Sequence, residues 1–217
     1  ASCLVGSEMC IKRQKQHIGG PMASSSPPRG KAASVPVDLA LQGGGSHGAF
    51  TWGVLDRLLE EDRLTIAGIS GTSAGAMNAA VLADGFAQGG AEGARKALTA
   101  FWEFVADAAR LSPFQATPID MALGNWSLAH SPAFVAMDML SRLASPYTLN
   151  PAGINPLLRV LDRVIDFDRL RAAPIKLFVT ATNVRTGRGR VFRNADLSPQ
   201  VLLASACLPT LFQAVEI

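Results

Sequence analysis

A serine with a glycine two positions away on either side gives the chain its clearest chemical motif, Gly71-Thr72-Ser73-Ala74-Gly75. A serine nucleophile on a sharp strand-to-helix turn needs this spacing, because larger side chains at the glycine positions would collide. The helix that follows would direct its positive dipole end and free amides toward an alkoxide. We therefore predict that Ser73 is a nucleophile in acyl transfer, on a turn shaped by Gly71 and Gly75.

A second glycine-rich turn lies upstream, in the segment Gln42-Gly43-Gly44-Gly45-Ser46-His47-Gly48. Consecutive glycines leave backbone N–H groups open to an oxyanion that develops during acyl transfer. We predict that Gly43, Gly44 and Gly45 form an oxyanion hole and that Gly48 belongs to the same motif.

Short apolar strands must position these two turns. Residues 37–41 and 66–70 have strand character and run directly into the glycine turns, and helices are predicted at 49–61 and 74–87. This alternation predicts parallel strands joined by crossover helices. Ligands of such sheets bind beyond the carboxyl ends of the strands, so the two turns should face each other.

Weaker periodicity describes the rest of the chain. We predict helices at 91–110, 157–165 and 198–206, a strand at 175–183 with a hairpin partner at 189–192, and a last strand at 212–217. The proline-interrupted apolar region 111–149 is either an acyl-chain pocket or membrane-facing cap, or ordinary core. Four arginines surround the predicted hairpin, and charges that keep a sheet edge from aggregating explain them most simply, with contact to anionic head groups as the alternative. They are Arg185, Arg188, Arg190 and Arg193.

The composition predicts one domain preceded by a tail. Residues 1–35 are rich in glycine, serine and proline, and we interpret them as a disordered tail or a segment foreign to the natural chain, followed by a catalytic domain at 36–217. Residues 1–34 carry five basic side chains against one acidic, whereas 35–217 carry 15 basic and 16 acidic, which offers nucleic acid no footprint. No segment has the length and hydrophobicity of a membrane span. We expect a cytoplasmic protein without metal or organic cofactor, and leave peripheral membrane association open.

Three blocks of the chain resemble the patatin-like phospholipase (lipid acyl hydrolase) family. They are Leu41–Gly48, Gly71–Gly75, and Ala204-Ser205-Ala206-Cys207-Leu208-Pro209 with Phe212. The resemblance spans about 37–217 and implies an α/β/α three-layer sandwich with a mainly parallel sheet. It also implies a Ser-Asp dyad that hydrolyses acyl esters of phospholipids, lysophospholipids or neutral lipids. His47 stands where the family usually has arginine or lysine; we interpret it as a polar surface residue, with a base or head-group contact as the alternative.

The aspartate of the dyad has no match in the chain. In the family it lies in an Asp-Gly-Gly or Asp-Gly-Ala turn after the third block, and this chain ends at Ile217. Asp84 is excluded because about 11 helical residues, roughly 16 Å, separate it from Ser73, and His130 in its proline-flanked loop is a poor triad member. We expect the aspartate beyond Ile217, and expect these residues alone to hydrolyse esters hardly at all.

Two rival functions belong to other classes. One is a catalytically silent lipid-binding module with the same fold. The other is a nucleotide-binding protein, because Gly43-x-Gly45-x-x-Gly48 matches the dinucleotide fingerprint. That fingerprint needs an acidic residue at the end of the second strand, where Ser70 and Gly71 stand instead.

Overall fold

The computed structural model describes residues 34–110 and 131–217. Several segments lie outside the described residues: His130, the 111–130 part of the apolar region, and the predicted tail except for positions 34 and 35. The elements are β1 (Val35–Leu41), α1 (Gly48–Leu59), β2 (Leu64–Gly71), α2 (Ala74–Arg110), α3 (Pro132–Leu143), α4 (Pro146–Leu149), α5 (Pro156–Val164), α6 (Phe167–Arg171), β3 (Lys176–Thr182), β4 (Gly189–Arg193) and α7 (Pro199–Ser205).

The strands of the described chain form one sheet in the order β1-β2-β3-β4. β1, β2 and β3 are parallel, and β4 returns antiparallel to β3. Helices cover both faces, so the predicted three-layer α/β/α fold with a mainly parallel sheet is confirmed. The register aligns Leu41 with Gly71 and Gly71 with Val179, which brings the carboxyl ends of β1 and β2 to the same edge.

Helix α2 is a helical hairpin. Its backbone leaves helical geometry at Gly89 and at Gly90, where φ is +61°. The chain reverses there, as a contact between distant residues shows: the Trp102 indole donates a hydrogen bond to the Asn78 side chain over 2.8 Å. A first segment at 74–88 and a second at 91–110 therefore run antiparallel, in agreement with the two helices predicted there.

The first segment of α2 forms the centre of the core. Every residue from Ala74 to Gly85 is buried, and most of them are small. Small side chains let this helix lie close to the sheet, where it contacts β2 and β3. The helix that follows Ser73 is thus packed against the strands that position its N-terminus.

The predicted strand at 212–217 is not formed. This stretch is irregular, and side-chain contacts satisfy part of its polar backbone and side chains. The Gln213 amide donates to the Asn150 carbonyl over 2.7 Å, and the Ala214 amide donates to the Tyr147 hydroxyl over 3.3 Å. Apolar composition alone could not distinguish this irregular segment from a strand of the sheet.

Candidate active site

Ser73 lies on the sharp turn between β2 and α2. Its φ is +53°, and no other non-glycine residue of the described chain has a positive φ. This left-handed conformation costs an L-residue about 1–2 kcal/mol, and such strain is found mostly at functional sites. The Gly75 amide donates to the Thr72 carbonyl over 2.9 Å, which closes the turn immediately before the helix. The side chain is half-buried.

Glycine is required on both sides of this turn. A Cβ added at Gly71 would lie 2.6 Å from the carbonyl carbon of Gly75, and one at Gly75 would overlap the carbonyl oxygen of Leu41. The end of β1 therefore passes directly against the turn that carries Ser73. Backbone crossing at this point leaves no room for any side chain at either position.

The structure brings Gly43 beside Ser73. A Cβ added at Gly43 would lie 3.2 Å from the Ser73 Cβ and 3.0 Å from the Thr72 carbonyl oxygen. Gly44 and Gly45 continue the loop with φ of +144° and +58°, and nothing lies within 4 Å of a Cβ at Gly45. Among hydrogen bonds between described residues, the backbone amides of these three glycines donate none. The loop therefore offers donors next to the serine that no acceptor among the described residues occupies.

Asn78 fixes the far end of the glycine loop. Its side-chain amide donates to the Gly48 carbonyl over 2.9 Å and its oxygen accepts from Trp102 over 2.8 Å. Gly48 itself must be small, because a Cβ there would lie 2.8 Å from the Trp102 ring and 2.9 Å from the Ala74 Cβ. Sequence reasoning missed Asn78; the signal was a lone polar side chain inside an alanine-rich helix face.

Ser205, in the third block, stabilises the serine turn through two hydrogen bonds of its hydroxyl. Its hydroxyl oxygen accepts the Ser73 amide over 2.9 Å, and its proton is donated to the Thr180 carbonyl over 2.8 Å. The block resemblance marked this segment without giving Ser205 a role. Because the Ser73 amide is occupied, an oxyanion hole here must draw on other N–H groups.

His47 and Cys207, whose side chains could in principle take part in chemistry, contact backbone carbonyls instead. The exposed His47 ring places Nδ1 3.1 Å from the Gly44 carbonyl oxygen, so this histidine supports the glycine turn through a local hydrogen bond. Burial raises the pKa of the Cys207 thiol, and its sulfur lies 3.3 Å from the Gln213 carbonyl oxygen. Cys207 is thus a poor thiolate nucleophile at neutral pH.

Asp84 forms a buried ion pair at the far end of the first segment of α2. Its carboxylate, only 2 % exposed, accepts two hydrogen bonds of 2.8 Å from Arg169 on α6. The hydrogen bonds that Arg169 donates raise the pKa of its guanidinium. This carboxylate therefore joins α2 to α6, which agrees with its exclusion as a base for Ser73.

Helix α3 presents an apolar surface to solvent. Phe134, Met139 and Leu140 are exposed, and the exposure of Leu143 reaches 84 %. Ordinary core packing, one of the two alternatives, therefore fails for this part of the 111–149 region. A cavity of about 600 Å³ lies elsewhere, along the second segment of α2 between Glu92 and Arg163.

Two features of other classes of site are absent from the described residues. No helix there is both long enough and apolar enough to cross a bilayer. No three histidine, cysteine or acidic side chains in the same ranges lie close enough together to hold a metal ion.

Comparison with models of known families gives a match over most of the chain. The model of the patatin-like phospholipase family matches residues 39–217, a range that includes both glycine turns and the Ser205 block. Comparison with curated proteins and with solved structures returned no match. The family match covers most of the chain and agrees with the fold and with the resemblance of the three blocks. The chain therefore belongs to the patatin-like phospholipase family.

Proposed function

We propose that the protein is a serine lipid acyl hydrolase of the phospholipase A or lysophospholipase type. The observation that carries the proposal is the strained turn at Ser73, with φ of +53°, directly beside Gly43. A strained serine between a glycine loop and a helix N-terminus is the arrangement that acyl transfer requires. Membership of a family named for phospholipases supports lipid esters as the substrate class.

In the proposed mechanism Ser73 Oγ attacks the ester carbonyl carbon. The carbonyl oxygen becomes an oxyanion, which the amides of Gly43, Gly44 and Gly45 hold by hydrogen bonds. An aspartate outside these 217 residues takes the serine proton and gives it to the leaving alcohol as the C–O bond breaks. Water, deprotonated by the same aspartate, then attacks the acyl-serine, and this step releases the fatty acid and restores the Ser73 hydroxyl.

The acyl chains of a lipid substrate need an apolar surface to hold them. The exposed apolar face of α3, with Phe134, Met139 and Leu143, supports a role in holding acyl chains or in facing a membrane. Association with the membrane is peripheral in this proposal.

The test is covalent labelling of the whole protein with a fluorophosphonate, together with turnover of a soluble short-chain ester. The wild type should be labelled at Ser73, and Ser73→Ala should lose labelling and lose at least about 10³-fold in kcat. Ser70→Ala, three residues earlier on β2, serves as the matched control and should retain both. Labelling that persists in Ser73→Ala would contradict the proposed nucleophile.

Two further measurements on the same protein, lipid binding and the melting temperature with added nucleotide, distinguish the rival functions. Binding of lipid without labelling or turnover would identify a silent lipid-binding module. A rise in melting temperature with NAD or NADP would favour nucleotide binding by the loop at Gly43–Gly48.

A further inference from the structure

We propose that the β3–β4 hairpin is a docking surface for an anionic lipid bilayer. We call residues 183–190 the arginine hairpin; it includes Arg185, Arg188 and Arg190. The inference deepens the proposed function and rests on it, because the surface would present lipid to the Ser73 turn. Its position, its charge and its internal order carry the argument.

The arginine hairpin stands at the same edge of the sheet as Ser73. β2 and β3 are parallel, and Gly71 at the end of β2 pairs with Val179. β3 continues through Thr182, three residues past this level, which is about 10 Å at 3.3 Å per residue. The loop after Thr182 therefore projects beyond the serine turn, where a flat surface approaching Ser73 would meet it.

The positive charge of the arginine hairpin is not neutralised by the described chain. Elsewhere in the described residues, most basic side chains contact carboxylates, whereas Arg159, Arg163, Lys176 and Arg193 do not; those that do are Arg57, Arg63, Arg95, Lys96, Arg142, Arg169 and Arg171. No carboxylate of the described residues forms an ion pair with Arg185, Arg188 or Arg190. Arg190 instead stacks on the Phe192 ring, 4.7 Å from its centroid. These charges remain available to an anionic partner.

The charge of the rest of the domain orients such a partner. Residues 183–193 contain four arginines and no acidic residue, whereas the remainder of 35–217 carries 11 basic and 16 acidic side chains. An anionic surface is therefore attracted at one place and repelled on average elsewhere. Protection of a sheet edge would not require Arg185 and Arg188, which lie in the loop beyond the ends of both strands.

The backbone of the hairpin is ordered without help from the arginine side chains. The Asn183 side-chain oxygen accepts the amides of Arg185 and Thr186 over 3.0 and 3.1 Å, and the Thr186 hydroxyl accepts the Arg188 amide over 3.3 Å. Val184 lies in this loop and is 75 % exposed. An exposed apolar side chain among basic ones suits the boundary between head groups and acyl chains.

The test measures partition of the whole protein onto vesicles of phosphatidylcholine, with and without phosphatidylglycerol. Wild-type protein should prefer the anionic vesicles, and added NaCl should weaken that binding. Arg185→Gln/Arg188→Gln should lower the anionic partition coefficient roughly 30-fold, since each basic side chain near the surface contributes about fivefold. Arg190 is left intact because it stacks on buried Phe192.

The matched control removes two exposed charges away from this edge. Arg159→Gln/Lys176→Gln changes one residue on α5 and one at the opposite end of β3, and should bind anionic vesicles as the wild type does. Equal loss in both double variants, wild-type binding in the arginine double variant, or equal wild-type binding to both vesicle types would overturn the proposal.

A second readout separates this inference from the proposed hydrolase activity. Fluorophosphonate labelling and soluble-ester turnover should be unchanged in Arg185→Gln/Arg188→Gln, because the hairpin acts on the surface and leaves the chemistry alone. A wild type without labelling or turnover refutes the hydrolase, whereas vesicle binding that ignores the hairpin charges refutes the docking surface.

Discussion

Ser73 depends on side chains that the local motif does not contain. Its strained backbone is held from one side by the Leu41 carbonyl crossing Gly75, and from the other by the hydroxyl of Ser205. Gly71 follows from the sequence because its steric exclusion, by the backbone of Gly75, is local. Ser205 does not, because its partner lies 132 positions away.

Ser205→Ala should impair the proposed chemistry more than substrate binding. Without the hydroxyl, the Ser73 amide and the Thr180 carbonyl lose their shared partner, and the serine turn can shift. A displacement of about 1 Å at a reacting group can cost about 10²-fold in rate, so we expect a fall of this order in kcat with little change in KM. Soluble-ester kinetics check this, with Ser205→Thr restoring part of the rate. An equal loss in Ser205→Thr, or a change confined to KM, would contradict a positioning role.

At the level of elements, the sequence predicted most of the sheet and the break in α2. The strands and glycine turns are local patterns, and the two glycines at 89–90 interrupt the helix wherever it packs. The reversal at that point was not predicted, because it is visible only in contacts between distant residues, such as Asn78 with Trp102, 24 positions apart. The extra strand predicted at 212–217 was wrong, since hydrophobicity does not reveal whether a neighbouring strand has room to pair.

Gly75→Ala should disrupt the crossing of β1 and the serine turn. The new Cβ would overlap the Leu41 carbonyl oxygen, a backbone atom that cannot move aside, and we expect a loss of about 3 kcal/mol or more in the free energy of unfolding. Gly53→Ala on α1 is the control, because nothing lies within 4 Å of its Cβ. There the change should stabilise the protein by about 1 kcal/mol. Urea denaturation of both variants provides the comparison, and similar stabilities would count against the steric argument.

The whole molecule separates its proposed chemistry from its structural anchors. The serine turn, the glycine loop and the arginine hairpin share one edge of the sheet. The ion pair of Asp84 with Arg169 lies about 16 Å from Ser73 along α2, at 1.5 Å per helical residue. Composition predicts a single domain. The separation of the Ser73 edge of the sheet from the Asp84–Arg169 ion pair is seen only in the three-dimensional contacts.

Arg169→Met should destabilise the domain without altering the proposed chemistry. It leaves Asp84 buried and unpaired, which costs about 3–5 kcal/mol. Arg142→Met breaks the exposed pair with Asp138 and should cost less than about 1 kcal/mol. Thermal unfolding of the two variants measures the contrast, and fluorophosphonate labelling of the folded Arg169→Met protein should match the wild type. Equal thermal stabilities of the two variants would show that the Asp84–Arg169 ion pair does not stabilise the fold.

The bond between Ser73 and Ser205 also bears on biosynthesis. A ribosome that has just made the serine turn must still add 132 residues before the hydroxyl that secures it exists. β3, which supplies the Thr180 carbonyl, must be in place as well. The turn that carries Ser73 is therefore completed late, only after residues 74–205 have been synthesised.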